Sequence, residues 1–436
     1  RSAHIVIATV GSLGDLFPFL AVGQELRARG HRVTVATHAM HRQAIEQAGL
    51  DFADASGMPE PADRAEVTAR AFHPWRGPRF VVHDLAALDV QASYEKLAPL
   101  CASADLLLTS TLAFAGQIVG EQLSAAGRLC WLSAVLAPMG FMSVFDPPAT
   151  GMAMLDHLVG RSPARARVLA WLVDRRSHAW TAPVRRFRRR LGLPAQSSRG
   201  NPLLQGQFAA QGTLALFPTW LGAPQPDWPA HVHVCGFARY RQAAELDAAL
   251  LAFLDAGPPP LVFSLGSTAV HAGETFLRES LKTTLALGQR AVLFTGSPEM
   301  RTRLPTNLPP TIHLVDYAPH AALFPRASVV VHHGGIGTSA EALHAGRPML
   351  VVPHGFDQPD NAARLRRLGV AEVLPVARYR ADRAAALLLR LQTCIDYRQR
   401  SAEYAVLLGK HAGAVVASQR LESALAQTLD SAPDIL

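Results

Sequence analysis

Cysteine is scarce and dispersed in this chain of 436 residues. Cys101, Cys130, Cys235 and Cys394 form no CxxC pair, so neither a zinc site nor a disulfide framework is indicated, and a reduced cytosolic setting fits. Long apolar runs are missing as well. None reaches the ~20 residues that spanning a bilayer requires. Residues 1–9 lead straight into a strand, which reads as the absence of a signal peptide in that stretch. Only 17% of residues are charged and 49% are hydrophobic. That balance excludes a disordered chain and supports a large core spread over about two or three domains. The formal net charge is +8, much of it from arginine, yet no aromatic-and-basic recognition motif accompanies it. Nucleic acid is therefore not an expected partner, whereas a nucleotide diphosphate or an anionic membrane surface is.

What is present is a repeated strand–loop–helix grammar. Residues 4–9 read as a buried parallel strand, 11–15 as a turn, 17–29 as an amphipathic helix closed by Gly30, and 32–37 as the next strand. Such a βαβ opening marks a doubly wound α/β sheet. Residues 135–200 are rich in Arg, Trp and Pro without a clean strand and read as a helical insertion. A second βαβ series starts at residue 261. The expected domains are 1–235 and 246–413, joined by a linker at 236–245. A final helix at 414–436 would cross back to the first domain. With both halves Rossmann-like, a ligand belongs in the cleft between the carboxyl ends of the two sheets.

The most informative stretch is His332-His333-Gly334-Gly335-Ile336-Gly337-Thr338. It follows the apolar strand 327–331 and opens the helical pattern that begins at Ser339. A strand ending in glycines and turning into a helix brings bare N–H groups and a positive dipole end to one spot, which suits a phosphate. A tight turn without a ligand is the plainer reading of those glycines. Residues 351–361 repeat the same logic and add Asp357, Gln358 and Asn361, which could hold sugar hydroxyls. Gly11-Ser12-Leu13-Gly14 lacks the third glycine of a dinucleotide fingerprint, which argues against an NAD oxidoreductase.

Gly11-Ser12-Leu13-Gly14-Asp15-Leu16-Phe17-Pro18 resembles the first loop of bacterial GT-B glycosyltransferases of the UDP-glycosyltransferase superfamily, which includes sterol and antibiotic glycosyltransferases. In the second half Tyr317-Ala318-Pro319-His320, His333-Gly334-Gly335, Glu341-Ala342-Leu343 and Asp357-Gln358 through Asn361 are similar to the superfamily's donor-binding signature. Leu216-Phe217-Pro218-Thr219-Trp220 and residues 224–229 also resemble the catalytic subunit of rhamnolipid-forming rhamnosyltransferases. The resemblance implies a GT-B fold: two Rossmann-like domains with parallel sheets facing a cleft. It also implies metal-independent, inverting transfer of a hexose from a UDP- or dTDP-sugar to a hydroxyl of a small apolar or lipid acceptor. No separate cofactor is implied, and no Asp-x-Asp triplet occurs, which argues against a metal-bound diphosphate.

Under this resemblance Asp15 is the candidate base, with N-capping of its helix as the plainer alternative. His4, His31 and His38 are weaker base candidates. His333 would contact the diphosphate, helped by Gly334, Gly335, Gly337 and Thr338, with Gly11, Ser12, Gly14 and Gly266 supporting the phosphate loops. Tyr317 would stack on the nucleobase unless it is a core tyrosine. Ser267 would reach the phosphate or the cleft. Asp357 and Gln358 would bond sugar hydroxyls while Asn361 supports their loop. Glu341 would hold ribose hydroxyls, implying UDP. Many relatives using dTDP-deoxysugars carry an apolar residue there. The arginines and aromatics of residues 161–190 could dock peripherally on an inner membrane, and a solvated arginine-rich helix face is the plainer reading. The apolar loops at 72–75 and 139–145 suggest a hydrophobic acceptor or simple core packing. The rival functions are a nucleotide-sugar epimerase of the same fold and a non-catalytic binding or activator protein.

Overall fold

The computed structural model describes residues 2–60, 64–73, 75–160, 162–197, 200–241, 245–266, 273–410 and 412–430. Thirteen strands are found among them. They are β1 (His4–Ala8), β2 (Arg32–Thr37), β3 (Asp51–Asp54), β4 (Leu106–Thr109), β5 (Cys130–Val135), β6 (Thr213–Ala215), β7 (Val232–Val234), β8 (Leu261–Ser264), β9 (Ala291–Phe294), β10 (Ile312–Val315), β11 (Val329–His332), β12 (Met349–Val351) and β13 (Ala371–Val373). They form two sheets, ordered β3-β2-β1-β4-β5-β6-β7 and β10-β9-β8-β11-β12-β13. Every pairing is parallel. In each sheet the order reverses beside the first strand: between β1 and β4, and between β8 and β11. That crevice is where α/β sheets bind ligands.

The strands read as apolar runs because both faces are covered. Ile5, Ile7, Leu106 and Leu108 pack with Leu16 and Leu20 on one face of the first sheet. Val6, Ala8 and Leu107 pack with Phe114, Ile118 and Trp131 on the other. The second sheet divides in the same way: Val262, Val330 and Val351 face one core, and Phe263, Val329, Val331 and Leu350 the opposite one.

The first helix differs from the sequence expectation. It spans Leu13–Ala28, starts four residues earlier than the amphipathic pattern suggested, and buries Leu16, Phe19, Leu20, Val22 and Leu26. The extra cover comes from the final helix, Gly413–Asp430, whose Ala417, Leu421 and Leu425 share the same core. Glu422 of that helix bonds His31 Nε2 and Arg29, both at 3.1 Å. Among the described residues the segment between β5 and β6 carries three α-helices, Ala153–Gly160, Pro163–Trp180 and Ala182–Arg190.

One core runs through both halves: Phe141, Phe208 and Phe217 cluster with Val292, Val330 and Met349. A buried ion network joins them too. Arg364, on the helix Gln358–Arg367, donates to Asp360 at 2.8 Å, to Asp146 at 2.6 Å and to the Leu221 carbonyl at 2.9 Å. Asp360 also accepts the Ala149 N–H at 3.0 Å. Arg364 and Asp360 are each only 3% exposed in this pair. Removing one member of such a pair strands the other charge, at a cost of about 3–5 kcal/mol. Arg364→Ala should therefore lower stability by that order in denaturant unfolding, and Asp146→Asn, at the wetter end, by clearly less. Equal small losses would show that the network does not fasten the halves.

Candidate active site

The site is built from loops at both crevices. Gly11, after β1, has φ +148°, and a Cβ there would meet Asp15 Oδ2 at 2.5 Å. The glycine thus lets the loop fold back onto the carboxylate. Asp15 Oδ2 accepts the Ser12 N–H at 2.7 Å and the Ser12 hydroxyl at 2.9 Å. These bonds give Asp15 a genuine helix-start role. Both Ser12 bonds fall on Oδ2, so the capping reading and the base reading are compatible. Burial raises the Asp15 pKa, opposed by the Ser12 bonds and by His41. His41 was not a sequence candidate. It is buried, and its Nε2 lies 3.0 Å from the Gly11 carbonyl.

The weaker base candidates lie elsewhere. His4 opens β1, at the amino end of the sheet, beside Thr34 at 2.9 Å. His31 is held by Glu422, and His38 by the Met40 N–H and the Met58 carbonyl.

In the second half, β8 and β11 are neighbours with His332 paired to Ser264. The residues that follow are thereby brought together. A Cβ at Gly266 would lie 2.6 Å from the His333 ring, and one at Gly335 2.5 Å from its Nε2. The imidazole fills the space that two side chains would need. His333 Nδ1 is buried without a hydrogen-bond partner. Burial, then His332, His354 and His320, hold the His333 pKa well below its ordinary value, so the ring is neutral at pH 7. His332 is fully buried, and its Nδ1 accepts the Gly334 N–H at 3.1 Å.

The helix Ile336–His344 begins immediately afterwards. Its first intrahelical bond runs from the Ser339 N–H to the Gly335 carbonyl at 2.9 Å. The N–H groups of Ile336, Gly337 and Thr338 therefore have no partner within the helix and present a donor set for an anion. Gly337 meets the first domain here: a Cβ on it would be 3.8 Å from the Gly14 carbonyl. Pro18 has no N–H, so it cannot give that carbonyl its usual helical donor. Ser267 lies outside the described residues.

The third loop is shaped by Gln358 and Asn361. Gln358 Oε1 accepts the N–H groups of His354 at 2.8 Å and Gly355 at 3.2 Å. Its oxygen is committed to the loop, so only the amide nitrogen is left for a sugar. Asn361 Nδ2 donates to the Gly334 carbonyl at 3.0 Å and to Asp357 Oδ2 at 2.7 Å, tying two loops together. Asp357 is pushed up to about 7, first by burial, with the Asp15 charge adding to the rise and the Asn361 bond opposing it. The two carboxylates thus feel each other across the cleft. Phe356 adopts φ 59°, a strained conformation for a bulky residue, and its ring packs on Phe72 of the first domain at 5.4 Å.

Tyr317 is 58% exposed in the loop after β10, so it is no core tyrosine. Glu341 is held by Arg239, with Nη2 to Oε2 at 2.8 Å and Nε to Oε1 at 2.9 Å. Nothing in the sequence pattern signalled that pair, because its members are 102 positions apart. Among the described residues no group of three or more His, Cys, Asp or Glu side chains is placed to hold a metal.

Residues 5–137 match the Glycosyltransferase family 28 N-terminal domain, and 292–407 match the Erythromycin biosynthesis protein CIII-like C-terminal domain. O-mycaminosyltylonolide 6-deoxyallosyltransferase of Streptomyces fradiae is 32% identical over 400 residues, covering 88% of each chain. A sterol 3-beta-glucosyltransferase of Arabidopsis thaliana is 30% identical over 370 residues, covering 81% of this chain and 57% of that protein. Among solved structures, spinosyn forosaminyltransferase superposes with a TM-score of 0.70 at 19% identity, covering 98% of this chain and all of that one. A spinosyn rhamnosyltransferase complexed with thymidine diphosphate gives 0.63 at 19%, covering 96% and 99%. At such identities the structural likeness speaks for the fold.

The raised Asp357 carboxyl sets a stability test. Its folded pKa, about 7, lies above its ordinary 3.8, so the fold favours the protonated form. That contribution is complete below pH ~4 and lost as pH rises through 7. Asp357→Asn should gain melting temperature relative to the parent between pH 4 and 8. A difference that stays constant with pH would show that Asp357 is not held protonated by the fold.

Proposed function

This chain belongs to the GT-B glycosyltransferases of the UDP-glycosyltransferase superfamily, and from that premise we propose that it performs an inverting, metal-independent hexosyl transfer. The donor is a UDP- or dTDP-sugar, and the acceptor is the hydroxyl of a small apolar or lipid molecule. One observation carries the reading. Asp15, at the start of one helix, and the open N–H groups beside His333, at the start of another, lie on helices that approach each other at Gly14 and Gly337, where a Cβ on Gly337 would be 3.8 Å from the Gly14 carbonyl.

The chemistry follows from that arrangement. Asp15 takes the acceptor proton, and the oxygen attacks the anomeric carbon from the face opposite the diphosphate. The bond to the diphosphate breaks, so the configuration inverts in one displacement. The leaving charge falls on the N–H groups of Ile336, Gly337 and Thr338 and on the His333 ring. Asp357 and the Gln358 amide nitrogen hold sugar hydroxyls, Asn361 keeps Asp357 in place, and Tyr317 offers an exposed ring face to the base. An apolar acceptor is supported by the Phe72 and Phe356 rings and by Trp75, which is 74% exposed. Residues 139–145 contribute less than expected, because Phe141 is stacked on Trp228 at 4.0 Å within the core.

Peripheral docking on an anionic inner membrane is the reading we give to the arginine-rich helices. Met154, Val168, Trp171 and Leu172 are all more than half exposed, beside exposed Arg165, Arg167, Arg175 and Arg176. Arg188 is not part of that surface: it is buried and bonds Glu121 at 2.7 and 3.0 Å. Arg161 lies outside the described residues. Among those described, no helix is long and apolar enough to cross a membrane.

A thermal-shift panel of UDP- and dTDP-sugars, followed by mass spectrometry with candidate lipids, tests the function directly. Products formed from donor alone would point to an epimerase. Asp15→Asn retains the acceptor atom for Ser12, so it should fold and bind nucleotide while losing about 10²–10⁴-fold in turnover. Unchanged turnover removes Asp15 from the mechanism. His333→Ala should weaken UDP or dTDP binding about tenfold in calorimetry, and equal affinity would refute its role. Trp171→Ser combined with Leu172→Ser should reduce co-sedimentation with phosphatidylglycerol vesicles and leave transfer to a soluble acceptor intact. Undiminished co-sedimentation would exclude this face as the docking surface.

A further inference from the structure

Glu341 sits on the cleft-facing side of its helix, one turn beyond Gly337, and is already engaged. Arg239 Nε lies 2.9 Å from Oε1 and 3.1 Å from Oε2, and Nη2 lies 2.8 Å from Oε2. Both side chains are mostly shielded, at 20% and 16% exposed. A two-armed guanidinium–carboxylate pair in such a setting is strong and geometrically fixed. Arg239 belongs to the segment that connects the two sheets, between β7 and the helix Ala248–Asp255. Its neighbour Tyr240 packs on Phe17 of the first helix at 5.3 Å, so the arginine is anchored from the first-domain side. His344, one turn after Glu341, is pushed down to about 4 by burial and then by Arg239 and Arg241, so it does not compete as a second cation.

The helix start beside His333 is the proposed diphosphate position. The nucleoside attached to that diphosphate can then lie along the face that carries Gly337 and Glu341. A free Glu341 carboxylate would accept a hydrogen bond from the 2′-hydroxyl of a ribose. With Arg239 neutralising its charge and filling three of its roughly four acceptor sites, the carboxylate is a weaker acceptor for that hydroxyl. A 2′-deoxyribose loses nothing by this arrangement. We propose that Arg239 is a specificity-determining residue: by occupying Glu341 it adapts the donor site to 2′-deoxyribonucleoside diphosphates and withholds the advantage a ribonucleotide would otherwise have. This inference rests on the donor-site reading above.

UDP and dUDP differ only at the 2′-hydroxyl and are the probes of choice. In titration calorimetry the parent protein should bind the two within about twofold of each other. Arg239→Met frees the carboxylate and should shift the ratio toward UDP by about tenfold, the scale of a hydrogen bond to a charged acceptor. Arg239→Lys, which keeps a cation but not the two-armed fork, should shift it by less. Adding Glu341→Ala to Arg239→Met should return the ratio to the parent value. The ratio is read within one preparation, so partial unfolding of a variant scales both affinities alike. An unchanged ratio in both Arg239 variants, or a parent protein that already prefers UDP tenfold, overturns the proposal while leaving the donor site in place. Binding of neither nucleotide to the parent protein would overturn the donor-site reading, and this inference with it.

Discussion

The His333 imidazole takes up the volume that a Cβ at Gly266 or Gly335 would need, and the cleft is arranged around that fact. The parallel pairing of β8 with β11 places the two loops side by side. Close approach then demands glycine on both flanks, because any side chain would come within about 2.6 Å of the ring. The same glycine-rich turn starts the helix Ile336–His344 and leaves its first N–H groups open. Gly334, with φ +91°, completes the turn: a Cβ there would meet Val351 at 2.8 Å. Ring position, helix start and strand end are consequences of one packing constraint.

Charge follows from the same enclosure. Burial keeps His320, His332, His333 and His354 below their ordinary pKa and pushes Asp15 and Asp357 up. Both trends work against isolated charge in the cleft. A diphosphate bound as proposed would reverse this for the imidazoles, since its negative charge favours their protonation, and would raise the nearby carboxyls further. His333 Nδ1, buried without a hydrogen-bond partner, is the ring atom whose bonding the protein leaves incomplete.

How much of this was legible in sequence depends on range. The glycine-rich turn and the strand before it are local signals, and they placed His333, Gly334 and Gly335 correctly at the end of β11. β3 escaped notice because Asp51 and Asp54 break its apolar pattern, and β13 because Glu372 stands at the centre of so short a strand. The first helix was started late, since Ser12 donates its N–H and hydroxyl to Asp15 inside a stretch that resembled a turn. Long-range partners left no trace in the pattern. The side chain at Gln358 looked like a sugar ligand, yet its oxygen is spent on the His354 and Gly355 N–H groups. The pairing of Glu341 with Arg239, of Arg364 with Asp146, and the stacking of Phe72 on Phe356 all need the fold to bring distant residues together.

Those three long-range contacts share a geometry that bears on motion. Each joins the first half, or the connector, to a loop or helix of the second half: Arg239 to the helix after β11, and Asp146 and Phe72 to the segment after β12. Opening the cleft between the sheets must disturb all of them. The ion network around Arg364 is buried and resists separation, because parting it would leave Asp360 unpaired in an apolar setting. The Phe72–Phe356 contact is apolar and carries the strained backbone of Phe356, so it is the easier one to release. Parting these two rings with the Arg364 network intact is therefore less costly than hinging the halves apart.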